Sequence, residues 1–138
     1  MDRDDIARKD RRVARAMHIV LQDLTVRHPR SYVAQAASVE PTYFSKRFRD
    51  VAGISFKHWN MLVRVEAAQV LLETTDRQVR DVAAAVGYTD LTTFGRVFRK
   101  IAGMSPRQFR WKKFTNAPNA ERSTLNAERS TPNADRAP

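Results

Sequence analysis

Apolar positions in this chain recur at spacings of three and four, and no stretch keeps the period-two alternation of a half-buried strand. The pattern predicts an all-α fold. Val13, Met17, Val20, Leu21 and Leu24 form one stripe, which predicts a helix over 5–27, closed by His28-Pro29. A short helix is expected over 31–37. Glu40-Pro41 opens the next, because proline fits the first helical position; its stripe is Phe44, Phe48 and Val51, and Gly53 stops it. Ser55 caps a long helix over 55–73, with Phe56, Trp59, Leu62, Val63, Ala67, Val70 and Leu71 read as inward. Thr74-Thr75-Asp76 breaks it. A helix over 78–86 ends at Gly87, Asp90 caps one running through Phe94, Phe98 and Ile101 to Gly103, and Ser105-Pro106 starts a last short one through Trp111. The count is about seven helices.

Two stretches of the pattern match at a separation of 50. Phe44, Phe48, Arg49, Ala52, Gly53 and Ser55 correspond to Phe94, Phe98, Arg99, Ala102, Gly103 and Ser105. Val51 pairs with Ile101 and Ile54 with Met104; upstream, Val33-Ala34 corresponds to Val82-Ala83 and Val39 to Tyr88, with one extra residue in the second connecting turn. Each copy is a short helix, a tight turn and a longer amphipathic helix. That is the plan of a helix-turn-helix, whose second helix enters the major groove.

Charge points to the same partner. The 138 residues hold 25 Lys+Arg against 15 Asp+Glu, a net of +10. Residues 1–27 carry seven bases and five acids, 28–115 fifteen and seven, and 116–138 three and three, so the excess lies in the middle. Its densest part, 96–113, has seven Lys/Arg and no acid, interleaved with Phe94, Phe98, Phe109 and Trp111. A charge run is often only a solvated face, but the aromatics show that this one is also packed. A chain this basic is suited to a polyanion, nucleic acid before an acidic membrane surface.

The inventory argues against an enzyme. There is no cysteine, which removes thiolate nucleophiles, thiolate zinc sites and disulfides. The four glycines make no phosphate-cradling loop, and His18, His28 and His58 have no metal-ligand spacing. No metal or cofactor is expected. No apolar run is long enough to span a bilayer, and the charged N-terminus is no secretory signal, so the expected compartment is the cytoplasm. From Asn116 the unit Asn-Ala-Glu-Arg-Ser-Thr occurs at 119–124 and 126–131, with one large apolar residue, Leu125; a disordered tail is expected over 116–138.

The segment from Arg64 to Arg110 carries Arg64-x-x-x-Ala68-x-x-Leu71-Leu72, Val82-Ala83, Gly87-Tyr88, Phe94-x-Arg96-x-Phe98-Arg99-Lys100 and Gly103-x-Ser105-Pro106-x-x-Phe109-Arg110. It resembles the DNA-binding region of AraC/XylS-type transcription regulators, and the resemblance extends from about Tyr32. It implies two helix-turn-helix subdomains joined by a long central helix: 1–54 as an N-terminal helix and first unit, 55–73 as the linker, 74–115 as the second unit. It implies a bacterial regulator, an activator by expectation, reading two successive major grooves of double-stranded DNA with helices 41–52 and 90–102.

On that resemblance Thr42, Ser45 and Lys46 face bases from the first recognition helix, and Leu91, Thr92 and Arg96 from the second. Arg96 is the strongest candidate, since arginine can bond O6 and N7 of guanine together. Arg49, Arg99, Lys100, Arg107, Arg110 and Lys112, with the helix N-terminus at Ser105, are the candidates for phosphate. Ser38 stands where the first turn usually carries glycine, and Glu40 where a Ser or Asp cap is expected. About 30 residues precede the first unit, so no small-molecule effector domain is expected. The chain is expected to act as a monomer on DNA at the nucleoid, with RNA polymerase subunits as candidate partners. The alternative is a protein-interaction module with only nonspecific DNA affinity, motivated by Gly95, Ser38 and the repetitive tail.

Overall fold

A computed structural model describes residues 3–115, all of whose regular structure is helical: α1 (Arg3–Lys9), α2 (Arg11–Gln22), α3 (Arg30–Ala36), α4 (Pro41–Ala52), α5 (Phe56–Thr74), α6 (Val79–Ala85), α7 (Leu91–Ala102) and α8 (Pro106–Thr115). The expected disordered tail at 116–138 lies outside the described residues.

The first expected helix is two helices. Asp10 leaves helical geometry at φ −158°, and its Oδ1 accepts the amides of Arg12 and Val13 at 2.9 and 3.3 Å, capping α2. That turn is held from outside: the Arg47 guanidinium of α4 donates to Asp10 Oδ2 at 2.6 Å. Burial pushes the Asp10 carboxyl up, but Arg47 and the two amides outweigh it, and the acid sits below its ordinary range. α2 also stops at Gln22 rather than near Arg27, because Asp23 is extended and its carboxylate accepts both the amide and the hydroxyl of Thr25.

Two apolar cores are built, one on each half of the chain. The first gathers Ile6, Val13, Met17, Val20, Val33, Phe44, Phe48, Val51 and Phe56, with Trp59 and Val63 packed against it. The second gathers Val65, Ala68, Leu72, Val82, Val86, Tyr88, Phe94 and Phe98, with Phe109 against it. Aromatic pairs recur at matching spacing: Phe44–Phe48 and Phe94–Phe98 both at 5.7 Å, Phe48–Trp59 at 5.6 Å and Phe98–Phe109 at 5.7 Å. Each such pair adds about 0.5–1.5 kcal/mol beyond area burial.

α5 serves both cores, on different faces. Phe56, Trp59 and Val63 are one i, i+3, i+7 stripe; Val65, Ala68 and Leu72 are another. Nine residues separate matching positions, so at about 100° per residue the second stripe lies about 180° around the helix from the first. This corrects the expected single stripe: Val70 is exposed, while Val65, Ala68 and Leu72 are buried. Between the stripes lies Arg64, 1% exposed and the first residue of the Arg64-x-x-x-Ala68-x-x-Leu71-Leu72 pattern.

Candidate nucleic-acid interface

The two turn-plus-helix copies agree bond by bond. In the first turn the amides of Ala37, Ser38 and Val39 donate to Val33, Gln35 and Ala34 at 3.0, 2.9 and 2.8 Å. In the second, Val86, Gly87 and Tyr88 donate to Val82, Ala84 and Ala83 at 3.2, 3.1 and 2.9 Å. The extra residue of the second copy then falls at Thr89. α4 and α7 are 12 residues each, and both end on a left-handed glycine, Gly53 at φ 86° and Gly103 at φ 84°.

The two departures noted in the first unit are accommodated. Ser38 takes up the left-handed conformation at φ 66°, the place Gly87 fills at φ 93°. Glu40 does cap α4, its carboxylate accepting the Tyr43 amide at 2.9 Å, as Asp90 accepts the Thr92 amide at 3.0 Å. These bonds hold both acids below their ordinary pKa: for Glu40 the amides of Tyr43 and Thr42, for Asp90 the Thr93 hydroxyl first and the Thr92 amide second.

With Phe44, Phe48, Phe94 and Phe98 wholly buried, the opposite faces of α4 and α7 are open. On α4, Thr42, Lys46 and Arg49 are exposed, as is Tyr43; Ser45 is half-buried, its hydroxyl turned to the Pro41 carbonyl at 3.4 Å. On α7, Leu91, Thr92, Arg96, Arg99 and Lys100 are exposed. Gly95 leaves a gap in that face: a Cβ there would meet nothing within 4 Å, so packing does not require glycine.

α4 and α7 are each followed at once by the N-terminus of another helix, α5 and α8. Ser105 Oγ accepts the Gln108 amide at 3.1 Å, and the Gln108 side chain accepts the Ser105 amide at 3.0 Å, a reciprocal cap on α8. Ser55 Oγ accepts the His58 amide at 3.1 Å on α5. Arg107 is exposed beside the α8 cap, and Lys57 is its counterpart beside the α5 cap. A cleft beside α4 collects Lys57 with His28, Arg30, Lys46 and Arg49. Lys57, Arg30 and His28 were not among the sequence candidates; applying the 50-residue offset to Ser105 and Arg107 finds Ser55 and Lys57 directly.

Not every cation belongs to this face. Arg110 is half-buried, and its Nε and Nη2 donate to the carbonyls of Leu72 and Thr75 at 3.1 Å each, tying α8 to the end of α5. Lys112 is exposed on α8. Among the described residues no cluster of His, Asp or Glu could hold a metal, and no helix is long and apolar enough to cross a membrane.

The duplicated turn and helix coincide with a family match: the model described as a helix-turn-helix domain, of AraC type, covers residues 33–112. The chain belongs to the AraC-type helix-turn-helix family. Members are DNA-binding transcription regulators rather than enzymes, and their partner is double-stranded DNA. The arabinose operon regulatory protein of Escherichia coli K12 is 40% identical over 78 residues, which are 56% of this chain and 27% of that protein. The match therefore spans less than a third of the length of that relative. The DNA-binding domain of AdpA, solved with a target DNA, superposes with a TM-score of 0.73 at 29% identity, covering 77% of this chain and 96% of that one. The xylose-binding transcription activator XylR superposes at 0.63 with 25% identity, over 73% of this chain and 27% of that one. The interaction-module alternative is not favoured.

Proposed function

We propose that the chain is a sequence-specific regulator that inserts α4 and α7 into successive major grooves of one duplex and activates transcription. One observation carries this reading: two helices of equal length, capped alike at both ends, each present an open polar and basic face backed by a matching aromatic core. Two such helices on one face must sit about one helical turn, roughly 34 Å, apart on DNA. Thr42, Ser45 and Lys46 then read one half-site, and Leu91, Thr92 and Arg96 the other. Arg49, Arg99, Lys100, Arg107 and Lys112, with the caps at Ser55 and Ser105, hold phosphates and supply the salt-dependent part of affinity. Arg110 acts on phosphate only with the donors its carbonyl partners leave free.

Because the two probes differ in sequence, one copy of the chain reads an asymmetric site and needs no dimer symmetry. The activating sign follows the likeness to XylR, and RNA polymerase subunits are the partner through which it would act. Such a regulator works in the cytoplasm, on the nucleoid. Selection from random duplex DNA tests the reading. The expected product is an asymmetric motif with two half-sites about 10 base pairs apart. A pool without enrichment, or specific binding less than about tenfold over nonspecific, would refute it.

A further inference from the structure

Two units that share one helix need a joint if their recognition helices are to keep a fixed relation. Arg64 occupies the place for it, on α5 between the stripe of the first core and that of the second. Its Nη1 donates to Leu24 O at 2.7 Å and to Val86 O at 2.8 Å, and its Nη2 to Val26 O at 3.2 Å. Asn60 Oδ1, one turn earlier, accepts from Nε at 3.0 Å and fixes the plane of the fork. Leu24 and Val26 belong to the segment between α2 and α3; Val86 belongs to the turn of the second helix-turn-helix. One nitrogen thus bonds a carbonyl from each unit.

The surfaces around it are fitted to this contact. A Cβ on Gly87 would stand 2.4 Å from Arg64 Nη1, 2.5 Å from the Leu24 carbonyl and 2.9 Å from Arg27 Cγ. Segment 24–27 therefore lies directly on the second turn. The Arg27 guanidinium lies over the Tyr88 ring at 4.4 Å, and Tyr88 packs on Phe94 of α7 at 5.6 Å. A continuous path runs from the segment that leads into α3, through Arg64, to the base of α7. A planar fork with several fixed donors can serve three carbonyls and an amide oxygen at once; a lysine ammonium cannot reach them all.

We propose that Arg64 is a positioning residue: it locks the second turn onto the first unit, so that α4 and α7 are presented as one rigid pair whose separation selects half-site spacing. The consequence for DNA rests on the two-groove reading above. Linking two contacts raises affinity only as far as the geometry lets both engage together, so loosening the joint lowers binding to the full site and blunts its spacing preference.

The chain has no cysteine, so Asp50→Cys and Lys100→Cys, at matching places on α4 and α7, can carry spin labels without further change. Pulsed dipolar spectroscopy without DNA should give one narrow distance for the parent, a broad distribution for Arg64→Met and an intermediate one for Arg64→Lys. A folded Arg64→Met that keeps the narrow distance overturns the proposal. If Arg64→Met shows no cooperative melt, Asn60→Ala, which frees Nε alone, is held to the same criterion. Unlabelled Arg64→Met should lose about tenfold or more on the selected full site, keep its affinity for a single half-site, and no longer discriminate against a one-base-pair insertion. Equal losses on full and single half-sites would overturn the spacing role. Broadening together with a selection that yields no two-part motif keeps the joint and removes the two-groove reading; a narrow distance with a two-part motif does the reverse.

Discussion

The two helix-turn-helix units reach one backbone geometry with different chemistry. At the left-handed position of the turn the first unit has Ser38 and the second Gly87, at φ 66° and 93°. The difference has a local cause. Gly87 is pressed by Arg64, Leu24 and Arg27, and no side chain fits. Ser38 is exposed, so its cost is mainly the left-handed conformation, about 1–2 kcal/mol for an L-residue. The supports differ as well: α1 and α2 brace α4 through Asp10 and Arg47, whereas α8 braces the end of α5 through Arg110. A duplicated motif therefore constrains backbone and core more tightly than it constrains what stands around them.

Exchanging the two turn residues tests that difference most severely. Gly87→Ser should destabilise by about 3 kcal/mol or more, since strain and overlap act together. Ser38→Gly, the reverse change in the open turn, should be neutral or stabilise by up to about 1 kcal/mol. Denaturant melts of both variants measure the contrast; equal losses would remove it.

Asp10→Ala removes the cap of α2 and the partner of Arg47, and should cost about 2 kcal/mol. Because the folded-state pKa of Asp10 lies below its unfolded value, the acid stabilises fully above about pH 4, and that contribution is lost as pH falls through the depressed value. The melting difference between parent and Asp10→Ala should accordingly narrow below about pH 4. A difference independent of pH would show that the ion pair contributes little.

On the proposed two-groove reading, the comparison on DNA is between cations assigned to bases and cations assigned to phosphates. Arg96→Ala should cost about 1–3 kcal/mol of base discrimination within one half-site. Lys100→Ala should weaken all sequences alike and reduce the salt slope by about 1. Binding titrations on matched and mismatched duplexes at several salt concentrations separate the two. A small gain in stability is expected at Gly95→Ala: the site is open, so helix propensity should stabilise the protein by about 0.5–1 kcal/mol. If α7 approaches DNA at that bare position, the same variant binds more weakly; unchanged affinity would show that no close approach occurs there.

Much of this architecture was legible in the sequence, because the signals are local. Gly53, Gly103, Ser55 and Asp90 mark helix ends by their own conformational and hydrogen-bonding chemistry, and the phenylalanines at 44, 48, 94 and 98 fix the buried faces of α4 and α7. Illegible were the features set by distant partners. Asp10 reads as one more charge in a helix until Arg47, 37 residues away, is placed beside it. α5 reads as a single stripe because nothing in its own sequence says that two cores approach from different sides. The arginines are the hardest case. Arg64 and Arg110 bond carbonyls of other elements, while Arg96, Arg99 and Arg107 are exposed, and residue type alone does not separate them. For the candidate interface, the outward faces followed from the core; the contribution of Ser55 and Lys57 was present in the repeat but required carrying the offset one helix further.

The most direct test of two-groove reading is a hydroxyl-radical footprint of the chain on its selected duplex. Two protected patches, displaced along one face by about one helical turn, are the expected result. A single patch, or protection running evenly around the duplex, would contradict it.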